Sequence, residues 1–181
     1  MNNSGTSEGK EPGMLTGMFT DRESSESAYK SLRDRGYSDD EISVLMSDDT
    51  RNKHYGDGMP ETELGSKALE GTGVGGAIGG TLGAIIAGIA AIGTNLVLPG
   101  LGLIVWGPIA AALAGAGVGG LTGGLVGALV GAGIPEDRAV VYEEGIKNGG
   151  TVFGVKPKNN EDAEYFENDW KTNHRGQNVY R

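Results

Sequence analysis

Apolar positions recur at strand and helix spacings near both ends of the chain and run together without interruption through its middle. From Met14 to Thr20 the run MLTGMFT predicts a first strand, and Thr20 with Glu23 forms a capping box that opens a helix. Ala28, Tyr29 and Leu32 supply that helix with a buried stripe, and Gly36 sits where a C′ glycine ends it. Ser38-Asp39-Asp40 turns the chain into EISVLMS, where Ile42, Val44 and Met46 alternate with Ser43, Leu45 and Ser47, the period of a second strand. A helical crossover between these strands makes a parallel pair if they are neighbours, or leaves room for another strand between them. Asp48 to Glu70 is polar, contains Gly56-Asp57-Gly58 and Pro60, and predicts a linker with a helical turn from Glu61 onward.

Beyond the middle, Pro135-Glu136-Asp137 is a helix start, with proline in the first turn and acids at the positive end of the macrodipole. Ala139, Val140, Tyr142 and Ile146 make its buried face, Asn148-Gly149-Gly150 ends it, and TVFGV, Thr151 to Val155, predicts a third strand. Asn160 is expected to cap a last helix through Trp170, whose Ala163, Phe166 and Trp170 dock on the sheet in preference to a membrane surface. NHRGQNVYR reads as a frayed tail, and the polar first 13 residues as a disordered leader with no secretory h-region, consistent with a cytoplasmic protein.

The middle is a different composition. Residues 71–135 carry no charged side chain and hold 21 of the 34 glycines, many spaced four apart. Gly71, Gly75, Gly79 and Gly83 form one series, and Gly115, Gly119, Gly123, Gly127 and Gly131 another. On a helix this spacing makes a smooth groove that lets a second backbone approach closely, a glycine zipper. The pattern predicts a hairpin of two helical arms. The first, Gly73 to Gly93, would be about 31 Å long against about 30 Å of bilayer hydrocarbon, and the second runs from Pro108 to Gly133. Between them TNLVLPGLGLIVWG breaks helical continuity but stays apolar, so it is expected to be buried or interfacial, with Trp106 at a membrane interface.

The net charge of −9 divides between acidic flanks, with 8 Lys/Arg against 15 Asp/Glu in residues 1–70 and 7 against 9 in residues 136–181. That disfavours nucleic acid and offers no polybasic patch for anionic lipid. The absence of cysteine excludes disulfides, thiolate catalysis and cysteine-ligated metals. Two G-x-G-x-x-G matches, Gly71/Gly73/Gly76 and Gly115/Gly117/Gly120, follow no strand and have no acidic residue about 20 positions on, so they predict no dinucleotide site. His54 and His174 lie in polar stretches without a second ligand and read as solvated. Asp39-Asp40, Asp48-Asp49 and Glu143-Glu144 read as turn, linker and outer helix face, and Ser24, Ser25 and Ser27 as helix-start and surface residues lacking a base. No catalytic, cofactor or metal residue is therefore predicted, and the chain is expected not to be an enzyme; whether it takes a small-molecule ligand is open.

The opening TGMFTDRESSESAYKSLRDRGYSDDEISVLMSDD resembles the amino-terminal motif of bacterial general-stress and heat-induced stress proteins. The matching positions are Gly17 and Phe19, Gly36 and Tyr37, then Ile42, Ser43 and Val44, and the Asp137-Arg138-Ala139 helix and Gly149-Gly150-Thr151 strand entry resemble that family's longer, zipper-bearing members. The resemblance implies stress association and carries no site residues.

The expected architecture is α+β. It is a small split β-α-β / α-β domain of ferredoxin-like character, interrupted by the Gly/Ala-rich hairpin. The segments are a leader (1–13), the first half of the domain (14–47), a linker (48–70), the zipper hairpin (71–134), the second half with the last helix (135–172) and a tail (173–181). The functional expectation is a stress-associated protein that self-associates through the hairpin at or in a membrane. The alternatives are a soluble homo-oligomer with the hairpins buried in its core and a ligand-sensing α/β domain.

Overall fold

Four segments of the chain are strands buried on both sides and read accordingly as near-continuous apolar runs. The computed structural model describes residues 12–56, 62–65, 95–98, 102–115 and 124–181. In chain order the elements are β1 (Leu15–Phe19), α1 (Arg22–Asp34), a 3₁₀ turn (Asp39–Glu41), β2 (Ile42–Ser47), α2 (Asp48–Tyr55), β3 (Asn95–Leu98), β4 (Leu103–Trp106), α3 (Pro108–Gly115), α4 (Gly124–Gly131), α5 (Glu136–Lys147), β5 (Thr151–Val155), α6 (Asn160–Thr172) and β6 (Gln177–Tyr180). The protein is α+β, with one six-stranded sheet in the order β3-β4-β2-β5-β1-β6 and every neighbouring pair antiparallel.

The question left by the β1-α1-β2 crossover is answered by β5, which lies between those strands. Leu15 pairs with Val155 on one side of β5, and Ile42 pairs with Val155 on the other. Because β5 is antiparallel to both, β1 and β2 run parallel to each other. The segment β5-α6-β6 repeats the arrangement, with β1 filling the gap between its strands. The two units interleave.

Side chains alternate between two cores. On one face Leu15, Phe19, Ile42, Val44, Met46, Phe153 and Trp106 meet Tyr29 and Leu32 of α1, Tyr55 of α2, and Phe166 and Trp170 of α6. On the other face Met18, Leu45, Val105 and Val152 meet Ile109 and Leu113 of α3, Leu125 and Leu129 of α4, and Ala139, Tyr142 and Ile146 of α5. Gly17 lets Trp170 lie against β1. A Cβ there would come within 2.8 Å of the indole Cε3.

Several local expectations shift by a residue or change type. The N-cap of α1 is Asp21, not Thr20: its carboxylate accepts from the Ser24 N–H at 2.8 Å and the Ser24 hydroxyl at 2.9 Å. Asn159, not Asn160, caps α6, accepting from the Asp162 N–H at 2.7 Å. Gly36 does end α1, at φ +83°, with the Tyr37 N–H bonded to the Leu32 carbonyl and its own to Arg33 in a Schellman closure. The expected linker begins with helix α2, because Ser47 caps Thr50 and buried Thr50 and Tyr55 give the helix an inner face. Val140, read as buried, is 49% exposed, since Ala139, Tyr142 and Ile146 already fill the inner face of α5.

The largest differences concern the tail and the hairpin. The tail forms edge strand β6, held by pairing to β1, by buried Val179 and by the Tyr142 hydroxyl, which donates to the Asn178 carbonyl at 2.8 Å. The second zipper arm is not one helix from Pro108 to Gly133: α3 and α4 pack on each other, and Gly124 opens α4 at φ +67°, outside helical backbone. The apolar connection TNLVLPGLGLIVWG supplies the β3–β4 pair, extending the sheet from β2. The boundaries expected at 71 and 134 therefore do not separate two packing units. Residues 103–113 and 125–134 line the same cores as the flanks. The first arm, Gly73 to Gly93, lies outside the described residues. Among them no helix is long and apolar enough to cross a membrane.

Candidate functional site

The zipper glycines divide into three groups. Gly71, Gly75, Gly79, Gly83, Gly119 and Gly123 lie outside the described residues, Gly115 ends α3, and Gly127 and Gly131 belong to α4. Helix α4 turns Leu125, Ala128 and Leu129 into the protein's own core. Its outward side carries Gly131 and Val130, which is 43% exposed, with Gly127 and Val126 half-buried. Helix α5 packs beside it and exposes Val140. Trp106, expected at a membrane interface, is instead the last residue of β4 and fully buried against the core beneath α1 and α6. Its position on a central antiparallel pair with β2 explains the difference.

Two polar constellations link α1 to α6. One is a clip around Asp162, in the first turn of α6. Arg35 Nε donates to Asp162 Oδ1 at 2.6 Å and the Tyr37 hydroxyl donates to Oδ2 at 2.7 Å, while the Lys158 N–H donates to the Tyr37 oxygen at 2.8 Å. Burial alone would raise the Asp162 carboxyl, but the hydrogen bonds from Arg35 and Tyr37 outweigh it and hold it below the usual carboxylate range. Burial pushes the Tyr37 phenol up to about 12, with the Asp162 charge adding to the shift. This clip joins the end of α1 to the start of α6.

The other joins the same helices at the opposite end. Ser27 Oγ, exposed on α1, lies 2.8 Å from His174 Nδ1, and His174 Nε2 lies 2.9 Å from Oδ2 of buried Asp169. Asn173 Nδ2 donates to the other Asp169 oxygen at 2.8 Å. An ionised carboxylate only accepts, so Nε2 carries the proton, and in the neutral ring Nδ1 is left to accept from the Ser27 hydroxyl. This is the serine–histidine–aspartate order of a nucleophile, its base and the group that orients the base. Sequence reasoning missed it. Ser27 and His174 are 147 residues apart, and the polar composition of the tail carrying His174 is that of a frayed end.

The remaining candidates behave as structure. Ser24 and Ser25 bond back to Asp21. His54 is half-buried at the end of α2, and burial followed by the nearby charge of Lys53 moves it down from its ordinary value. Asp39 accepts from the Tyr29 hydroxyl at 2.5 Å and lies 3.3 Å from Arg33, Asp48 pairs with Arg51 at 3.3 Å, and Glu143 with Lys147 at 3.0 Å. Among the described residues no group of acids and histidines could hold a metal ion. No protein-family model, curated protein or solved structure matches the chain.

Proposed function

We propose that the chain is a non-enzymatic, stress-associated protein that assembles with copies of itself through its uncharged Gly/Ala-rich segment. The carrying observation is the division of α4, whose leucines face inward while Gly131 and Val130 face outward from an otherwise acidic molecule. A neutral apolar face is the part of such a molecule that a second copy can approach without like-charge repulsion, and glycine there permits close backbone contact. The stress assignment rests on the resemblance of residues 16–49. A ferredoxin-like framework bearing a glycine-zipper insertion is part of the same reading. The interleaved units β1-α1-β2 and β5-α6-β6, with α1 and α6 against one face, support it.

A soluble homo-oligomer takes precedence, because α3 and α4 spend their large apolar side chains on the protein's own sheet. Membrane association is the second reading, favoured by the uncharged stretch that contains the first arm, long enough at about 1.5 Å per residue to reach across a bilayer.

Light scattering on Gly131→Leu and Val130→Glu tests self-association. Both substitutions lie on the outward side of α4. Leucine is the better helix former by roughly 0.5–1 kcal/mol, so Gly131→Leu should keep or raise the melting temperature while lowering the oligomer size. Unchanged oligomers in both variants would remove this face from the assembly. Flotation of the wild type with liposomes at low and high salt separates the two settings: a soluble oligomer stays at the bottom under both conditions, whereas hydrophobic anchoring floats under both.

A further inference from the structure

We propose that Ser27 is an acyl-acceptor nucleophile, primed by His174 and Asp169, and hence a covalent modification site for activated acyl groups. Three observations carry this. The hydroxyl is exposed, while the imidazole is largely covered and the aspartate buried, so the reactive end alone faces solvent. Asp169 fixes the tautomer that leaves Nδ1 a base, and Asn173 satisfies the second carboxylate oxygen, so the pair is held without competition from Ser27. The contact between Ser27 Oγ and Nδ1 at 2.8 Å is within proton-transfer reach.

The step is an acyl transfer. As Oγ attacks the carbonyl carbon of an acyl ester, its proton passes to His174 Nδ1. The bond from that carbon to the leaving oxygen breaks, and the imidazolium returns the proton to the departing alcohol. The products are O-acyl-Ser27 and free alcohol, with no change of oxidation state. Turnover is a separate matter. Ser27 lies within α1, where its own N–H belongs to the helical ladder, unlike a nucleophile on a strand-to-helix turn whose neighbouring amides hold an oxyanion. The site is therefore a stoichiometric acceptor, compatible with a protein that is not an enzyme. Acylation also removes the hydroxyl proton that bonds Nδ1, so it severs the link from α1 to the end of α6.

The experiment uses the folded full-length chain with p-nitrophenyl acetate as probe and peptide mass spectrometry as readout. The expected result is one acetyl group on Ser27, formed at least tenfold faster than in the same chain unfolded in urea. His174→Gln should slow labelling about a hundredfold, the low end of what a positioned general base contributes. Asp169→Asn, which frees the tautomer, should slow it as well. Equal Ser27 labelling in folded and unfolded wild type overturns the proposal without recourse to any variant. So does a folded His174→Gln protein that labels at the wild-type rate, or acetyl found on lysines while Ser27 stays free.

Discussion

Asp162 is the residue at which pH should be felt most directly. Its folded carboxyl lies below its ordinary value of 3.8, through Arg35 and Tyr37, so it contributes stability that is fully present above the unfolded value. That contribution is lost as pH falls through the folded value, once the protonated carboxyl can no longer accept both bonds. Urea midpoints of wild type and Asp162→Asn should thus differ at neutral pH and begin to converge only as pH falls below about 4, toward the folded value. A difference that stayed constant into acid would mean that the asparagine disturbs packing and that the charge of Asp162 is immaterial. The neighbouring contacts, Arg35 over the Tyr165 ring at 4.0 Å and Lys158 over the Tyr37 ring at 4.4 Å, survive protonation and keep the clip from failing outright.

At the scale of elements, the tail is the instructive case. Gln177–Tyr180 has no apolar run, shifts register against β1 between Thr16 and Met18, and carries Asn178 at φ +49°, so no periodicity in the sequence marks it as a strand. What makes it one is tertiary. The Tyr142 hydroxyl bonds the Asn178 carbonyl and lies 2.7 Å from Thr16 Oγ1, while Val179 fills the space beside Gly17 and Trp170. Truncation after Arg175 should therefore cost more than a frayed end would. Losing β6 leaves the edge of β1 open and takes the Asn178 carbonyl from the Tyr142 hydroxyl, which keeps only Thr16 Oγ1, a loss of about 0.5–1.5 kcal/mol for the hydrogen bond before the loss of Val179 is counted. Faster amide exchange at Thr16 and Met18 with the melting temperature lowered is the expected signature, and unchanged exchange would return the tail to a frayed end. Elements with strong local signals were legible: β1, β2 and β5 from their apolar runs, the end of α1 from Gly36, the inner face of α6 from Ala163, Phe166 and Trp170. Helix α2 was not, because its inner face consists of Thr50 and Tyr55 in a run that otherwise reads as polar. The Ser27–His174–Asp169 chain was equally hidden, since α6 and the tail must fold before its members meet.

For the whole molecule, the uncharged segment poses the decisive question of whether it is an appendage or part of the core. A separable hairpin would allow residues 71–134 to be replaced by a short Gly/Ser linker without loss of the fold. The second core argues the opposite. Leu45, Val152 and Met18 on the sheet are covered by Ile109, Leu113, Leu125 and Leu129, all within the excised span, with α5 alone remaining from the flanks. Each full burial of such a side chain is worth about 1.5–3 kcal/mol, so these four alone approach the roughly 5–15 kcal/mol by which a domain of this kind is stable. The excision also takes β3 and β4, and with them Trp106, which leaves the outer edge of β2 unpaired and part of the first core empty. An open apolar edge beside an uncovered sheet face favours association of partly folded chains. The excised protein should accordingly be insoluble, or soluble with a broad, non-cooperative melt. A soluble variant with dispersed amide resonances and a sharp transition would instead show that the interleaved strands β2-β5-β1-β6 with α1 and α6 stand alone. Evolution could then vary the glycine-rich span without touching the fold that carries it.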